Sequence, residues 1–131
     1  MATLIAHPTR IPVPGGKIID EHVGRVNTAQ LPIGSAVSVA HMVAPADWSE
    51  PYQTPEFDEV TLVLRGEIIV DTPEGQLSVA AGQTVVTPAG ERIRYSAGPG
   101  GAEYVAVCLP AFTPDAAHRD EDTDPADGDG E

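Results

Sequence analysis

Apolar and polar positions alternate along this chain in short runs, and glycine or proline ends each run. In the run 36–43, AVSVAHMV, one side of an extended strand carries Val37, Val39, His41 and Val43, and the other Ser38, Ala40 and Met42. The run 58–64 differs: Val60, Leu62 and Leu64 share one face, while Thr61 and Val63 follow Glu59 on the other. A strand with one wet face would keep that face polar, so both faces here call for cover. Further strands are predicted at 18–25, 67–71, 76–79, 84–87, 92–96 and 103–109, with a hairpin turn at Thr72-Pro73-Glu74-Gly75 and a loop at Pro99-Gly100-Gly101. There is no long helical pattern and no internal repeat, so the chain reads as an all-β closed or double-sheet domain.

The ends read differently. Pro8, Pro12, Pro14 and the Gly15-Gly16 pair make 1–17 an extended arm. Residues 18–114 form the barrel, interrupted by loops at 27–34 and 44–55; the second holds Pro45, Pro51 and Pro55 with Trp48, Tyr52 and Gln53. Residues 115–131 are acidic and poor in apolar side chains, and a disordered tail is expected there. The cover for the doubly apolar central strand is then either the N-terminal arm or the same surface of a second subunit. A homodimer is the expectation.

Bulk properties narrow the function. The 131 residues are 41% apolar, enough for one domain with a core. The net charge is −13; residues 115–131 hold eight acids against one base, and the rest twelve against six. This excess repels nucleic-acid backbone and anionic membranes, so neither is an expected partner. A single cysteine, Cys108, rules out an internal disulfide and reads as a small buried apolar residue. No stretch has the length of a membrane span, and MATLIAHPTR lacks a signal-peptide core, so a cytoplasmic protein is expected. The sequence contains no glycine-rich phosphate loop, Cys-x-x-Cys pair or serine-nucleophile motif. Lys17 is the only lysine.

The central segment EVTLVLRGEIIVDTPEGQLSVAAGQTVVTPAG resembles the cupin superfamily. Glu59, six residues and Gly66 fit the end of its first motif; Gly82, five residues, Pro88, one residue and Gly90 fit the start of its second. The likeness covers about 36–110 and implies a double-stranded β-helix, the jelly-roll cupin barrel. Cupin metal chemistry rests on three histidines and this glutamate. Here the paired histidine places fall on Tyr52 and Thr54 or on Gln53 and Pro55, and the third falls on Ile93. The usual metal-dependent activities therefore do not carry over. The lead-in Phe57-Asp58-Glu59-Val60 resembles that of cupins linked to ethanolamine utilisation and of regulator-like ligand-binding cupins.

In the cupin register Glu59 points into the barrel beside Thr61. An unpaired carboxyl there is hard to ionise and suits acid/base work or ligand anchoring. Gln53 and Glu56 lie toward the barrel mouth, and Tyr95, two residues from the inward Ile93, offers a phenol. His41 joins Glu59 as a catalytic candidate if its face of the strand lines the barrel. Gln53, Glu56, Tyr95 and Thr61 are the ligand-binding candidates. The expected function is binding of a small organic molecule without a metal cofactor, with isomerase- or lyase-type proton transfer. The alternatives are a divalent-metal enzyme whose site is rebuilt from Glu59, Gln53 and His41, and a non-catalytic sensor or accessory protein. Arg92 and Arg94 are expected to face outward and pair with acids, and His7, His22 and His118 to lie at the surface.

Overall fold

The computed structural model describes residues 1–120. Seven strands form the domain: β1 (Thr9–Ile11), β2 (Ile18–Val23), β3 (Ser38–Ala44), β4 (Asp58–Thr72), β5 (Gly75–Ala80), β6 (Thr84–Thr87) and β7 (Arg94–Leu109). Two one-turn helices, α1 (Ile33–Ala36) and α2 (Pro114–Ala117), complete it. The order is β1-β2-β3-β7-β4-β5, with β6 on β4, and every pairing is antiparallel.

Two long strands carry the architecture. The sequence predicts separate strands at 58–64 and 67–71, and again at 92–96 and 103–109; each pair is one continuous strand bent in the middle. The bends are visible as changes of parity. In β4 the buried positions are Thr61 and Val63 before Gly66, then Ile68 and Val70 after it. In β7 they are Tyr95 and Ala97, then Ala102, Tyr104, Ala106 and Cys108. A strand can keep its side chains on the core across such a change only by inserting an irregular residue, and the β4–β7 register shifts between Val63 and Arg65 and between Gly66 and Ile68. At the crossing Gly66 has φ 80°, and a Cβ there would lie 2.1 Å from the Gly101 carbonyl oxygen. The bend lets both halves of β4 and β7 contribute to one core, in which Val63, Ile68, Val70, Val79, Ile93 and Tyr104 pack together.

The ends depart from expectation. Within the 1–17 arm, β1 pairs with β2 and extends the sheet beside β3, so the arm does not cover β4. Val60, Leu62 and Leu64 face outward instead, Leu62 and Leu64 being 39% and 47% exposed and their neighbour Val86 63%. At the other end, 115–120 are not a loose tail. Phe112 packs edge-on against the buried Phe57, with ring centroids 5.6 Å apart, and Ala117 is fully buried beside them. Main-chain hydrogen bonds then tie Ala116, His118 and Asp120 to Glu56, Thr54 and Tyr52. Composition alone misjudges this segment, because the backbone of 52–56 offers it a partner. The rest of the expected tail, 121–131, lies outside the described residues.

Candidate functional site

Beneath β1 and the start of β2, the inner faces of β2, β3, β4 and β7 enclose a cavity of about 230 Å³. Glu59 reaches it from β4, between Thr87 of β6 and Cys108 of β7. Gln53 reaches it from the loop before β4, fixed by mutual main-chain hydrogen bonds with Ile93. Tyr95 lines it from β7, its hydroxyl 2.7 Å from Thr87 Oγ1. The sequence-predicted trio Glu59, Gln53 and Tyr95 is thus brought together.

Three other candidates are placed elsewhere. His41 sits on the opposite face of β3, with Nε2 2.7 Å from Glu103 and Arg65 on the same carboxylate. The cavity side of β3 is the Ser38, Ala40 and Met42 face. Both faces of that strand carry apolar residues, so alternation alone does not choose between them. Glu56 is exposed and pairs with His118. Thr61 is buried behind Glu59, donating to its Oε2 at 3.3 Å, and does not line the cavity. Arg92 and Arg94 stack on Tyr52 and pair with Asp120 and Asp71, as their outward register implies.

Sequence reasoning passes over Lys17, Glu50, Tyr104 and Arg119, all of which line the cavity. Gly15 and Gly16, with φ of 84° and 80°, turn the β1–β2 connection so that Lys17, Ile19 and Glu21 face inward. Lys17 Nζ stands 4.1 Å from the Trp48 ring centroid and 5.5 Å from that of Tyr104. Arg119, carried in by the docked C-terminal segment, donates to Gln53 Oε1 at 3.5 Å and approaches Glu50 at 4.0 Å. Lys17, Glu50 and Arg119 also border a second, more open hollow of about 310 Å³, so they stand between interior and mouth.

The electrostatics follow from removing these charges from water. Burial pushes the Glu59 carboxyl up to about 7; Glu50 pushes the same way, while Lys17 and the hydroxyls of Thr61 and Tyr95 oppose. Glu50 is raised by burial against the pull of Lys17 and Arg119. Lys17 is lowered by burial, only partly offset by Glu50 and Glu59. Glu50 and Lys17 both shift toward their neutral forms. Tyr95 and Cys108 are raised by burial and by the Glu59 charge, which keeps both protonated.

The divalent metal of the cupin resemblance does not fit these residues. Glu59 is the one carboxylate at a cupin ligand place, Gln53 is engaged by Arg119, and Ile93 fills the third histidine place. Two cationic groups, Lys17 and Arg119, share the cavity and repel a metal ion. The rebuilt trio Glu59, Gln53 and His41 is not assembled, since His41 faces away. Among the described residues no group of three or more His, Cys, Asp or Glu side chains is placed to hold a metal ion.

No family model matches the chain. A protein called Endoribonuclease YbeY from Myxococcus xanthus (strain DK1622) is 42% identical over 111 residues, 84% of this chain; the match spans 36% of that protein, about a third of its length. Among solved structures, oxalate decarboxylase from Bacillus subtilis at pH 4.6 aligns over 91% of this chain and 33% of its own with a TM-score of 0.69 and 16% identity. KdgF from Halomonas sp. aligns over 79% and 89% with a TM-score of 0.66 and 11% identity. The Clostridium difficile EutQ protein aligns over 79% and 78% with a TM-score of 0.56 and 17% identity. Among the described residues no helix is long and apolar enough to cross a membrane. The strand order, the bend at the first-motif glycine and these neighbours place the chain among the cupin-fold proteins.

Proposed function

We infer that the cavity binds a small organic molecule and that Glu59 moves a proton on it, in an isomerase- or lyase-type step with no metal. One observation carries this reading: a carboxyl held near 7 opens onto a 230 Å³ cavity. A group with that pKa is present in both protonation states at neutral pH, as a general acid/base requires. Thr61, donating from behind, orients the carboxylate, and the Tyr95 phenol stays protonated to donate to a substrate oxygen. The proton taken by Glu59 is the one next to a carbonyl, and the same carboxyl returns it at a neighbouring atom. Pyruvate in deuterium oxide tests the step, with NMR following deuterium entry into its methyl group. The protein is expected to accelerate exchange, with a rate that rises through about pH 7 as Glu59 ionises. Glu59→Gln is expected to lose it by roughly 10²–10⁴-fold. An unchanged rate in that variant removes the general-base role.

A second reading, a ligand-sensing or accessory module without turnover, is supported by the Myxococcus relative, where the similar segment is part of a longer protein named as an endoribonuclease. With a net charge of −13, RNA contact by this segment is disfavoured, which leaves a small molecule as the signal. Saturable ligand binding without exchange on any carbonyl compound supports this reading over the first.

The working unit in either reading is a homodimer joined through the outer face of the sheet. Val39, Val107, Val60 and Val86 lie side by side across four strands, and Val105 and Leu62 form the next row. A second copy offers the same apolar rows for face-to-face sheet packing. Light scattering at micromolar concentration is expected to give a dimer mass, and Leu62→Glu a monomer that keeps its fold. A wild-type monomer counts against the interface.

A further inference from the structure

The acid/base reading leaves Lys17 without a task, yet the chain places its only lysine over two aromatic rings in a cavity it shares with Glu50 and Glu59. The placement is built: two left-handed glycines turn the chain immediately before it, and Gly15 lies against Trp48. A lysine kept for solubility belongs on the surface, where its ammonium is hydrated. Here it borders both the enclosed cavity and its mouth, within reach of any molecule that enters.

Two demands on an imine-forming lysine are met at this position. The amine must lose its proton readily enough to attack, which removal from water promotes. The iminium product is again a cation on the same nitrogen, and the Trp48 and Tyr104 ring faces and the Glu50 carboxylate stabilise it there. Arg119, which borders the same space beside Glu50 and Gln53, supplies a guanidinium that can pair with a carboxylate on the incoming carbonyl compound.

We propose that Lys17 captures small 2-oxo acids in the cavity as a protonated imine. In the step, the carbon–oxygen double bond of the ketone or aldehyde is replaced by a carbon–nitrogen double bond to Nζ. The ammonium gives up two protons, which leave with the carbonyl oxygen as water, and the remaining N–H bears the positive charge. Glu50 relays the first proton, taking it from the ammonium and returning it to the carbinolamine hydroxyl as that group departs. No oxidant or reductant is involved. The proposal rests on the reading that the cavity admits a small organic molecule, but not on proton transfer by Glu59.

The composition makes the test unusually clean, because Lys17 and the Met1 α-amino group are the chain's only primary amines. The 131-residue protein is incubated with pyruvate or glyoxylate and sodium cyanoborohydride, then examined by intact mass and peptide mapping. One reduced adduct on Lys17 is expected, saturating with probe concentration and forming at least tenfold faster than any adduct on Met1. Lys17→Arg, which keeps the cation and the aromatic contacts, is expected to abolish it without loss of fold by circular dichroism. Labelling at Met1 alone, or at Lys17 no faster than at Met1, overturns the proposal. Saturable pyruvate binding by ligand-observed NMR without an adduct overturns the imine and leaves the cavity reading intact; neither binding nor adduct overturns the imine and counts against the cavity reading.

Discussion

Gly66→Ala is expected to remove a large share of the barrel's stability. Two costs combine at this residue. The first is conformational: at φ 80° an L-residue pays on the order of 1–2 kcal/mol. The second is steric. The added methyl would sit 2.1 Å from the Gly101 carbonyl oxygen and 2.9 Å from Ala102 Cα, both backbone atoms of the paired strand. Gly101 has little room to yield, because it is itself left-handed at φ 76° and a Cβ on it would lie 2.6 Å from the Ala44 carbonyl oxygen. The crossing is therefore a close backbone approach of three adjacent strands, β3, β7 and β4, where Ala44 and Gly66 both pair with Ala102. Forcing it open by an ångström parts the pairing that joins the two halves of the core, and a total cost of at least about 4 kcal/mol is expected, a large share of a domain's ~5–15 kcal/mol. Gly82→Ala is the control. Gly82 has nearly the same φ, 84°, but nothing lies within 4 Å of its missing Cβ, so only the conformational cost applies. Urea unfolding of both variants separates the terms; equal losses would mean that the crossing tolerates a methyl group.

The same crossing shows what can be read from the sequence and what cannot. Gly66, Gly82, Pro88 and Gly90 are local requirements of turns and bends, so their spacing marks the fold. Glu59, Thr61 and Val63 alternate cleanly into the bend, and Tyr95 keeps the parity of Ile93, so the inward direction of Glu59 and Tyr95 is also legible. The parity change across Gly66 is present in the sequence as well. It reads as two strands separated by a turn, because a bend that preserves pairing and a turn that breaks it have the same local pattern.

The other half of the site depends on contacts far apart in the chain. Lys17 lies in a proline- and glycine-rich arm whose only regular pairing, β1 on β2, brings it over the cavity. Arg119 arrives through a segment that composition marks as solvent-seeking, held by main-chain bonds to 52–56 and by Phe112 on Phe57. The misplacement of His41 has a different origin. The side of β3 that looks more like core, with Val39 and Val43, forms the outer face with the uncovered residues of β4. An uncovered apolar face imitates interior, and one chain's sequence does not distinguish them.

Glu59→Gln is expected to stabilise the protein while removing the proposed proton transfer, and the stabilisation should grow with pH. In the unfolded chain Glu59 titrates near the ordinary 4.5, whereas in the folded protein burial and Glu50 hold it at about 7. Between those values the folded state retains a proton that the unfolded state has released, so wild-type stability falls as pH rises through this window. The loss is complete above about pH 7 and amounts to roughly 3 kcal/mol. Glutamine can still accept from Thr61 and has nothing to ionise. The groups facing it adjust in opposite directions: Glu50 is relieved of repulsion and Lys17 loses an attractive neighbour, so the net change stays close to that of Glu59 alone. The variant should therefore melt with wild type near pH 4.5 and on the order of 10 °C higher at pH 8. Wild type and variant melted across pH 4.5–8 give the curve directly. A gap that does not change with pH, or a variant less stable throughout, would show that the carboxyl is satisfied in its ionised form and is not poised for proton transfer. Higher stability with lost exchange is the signature of a residue retained for chemistry at the expense of the fold.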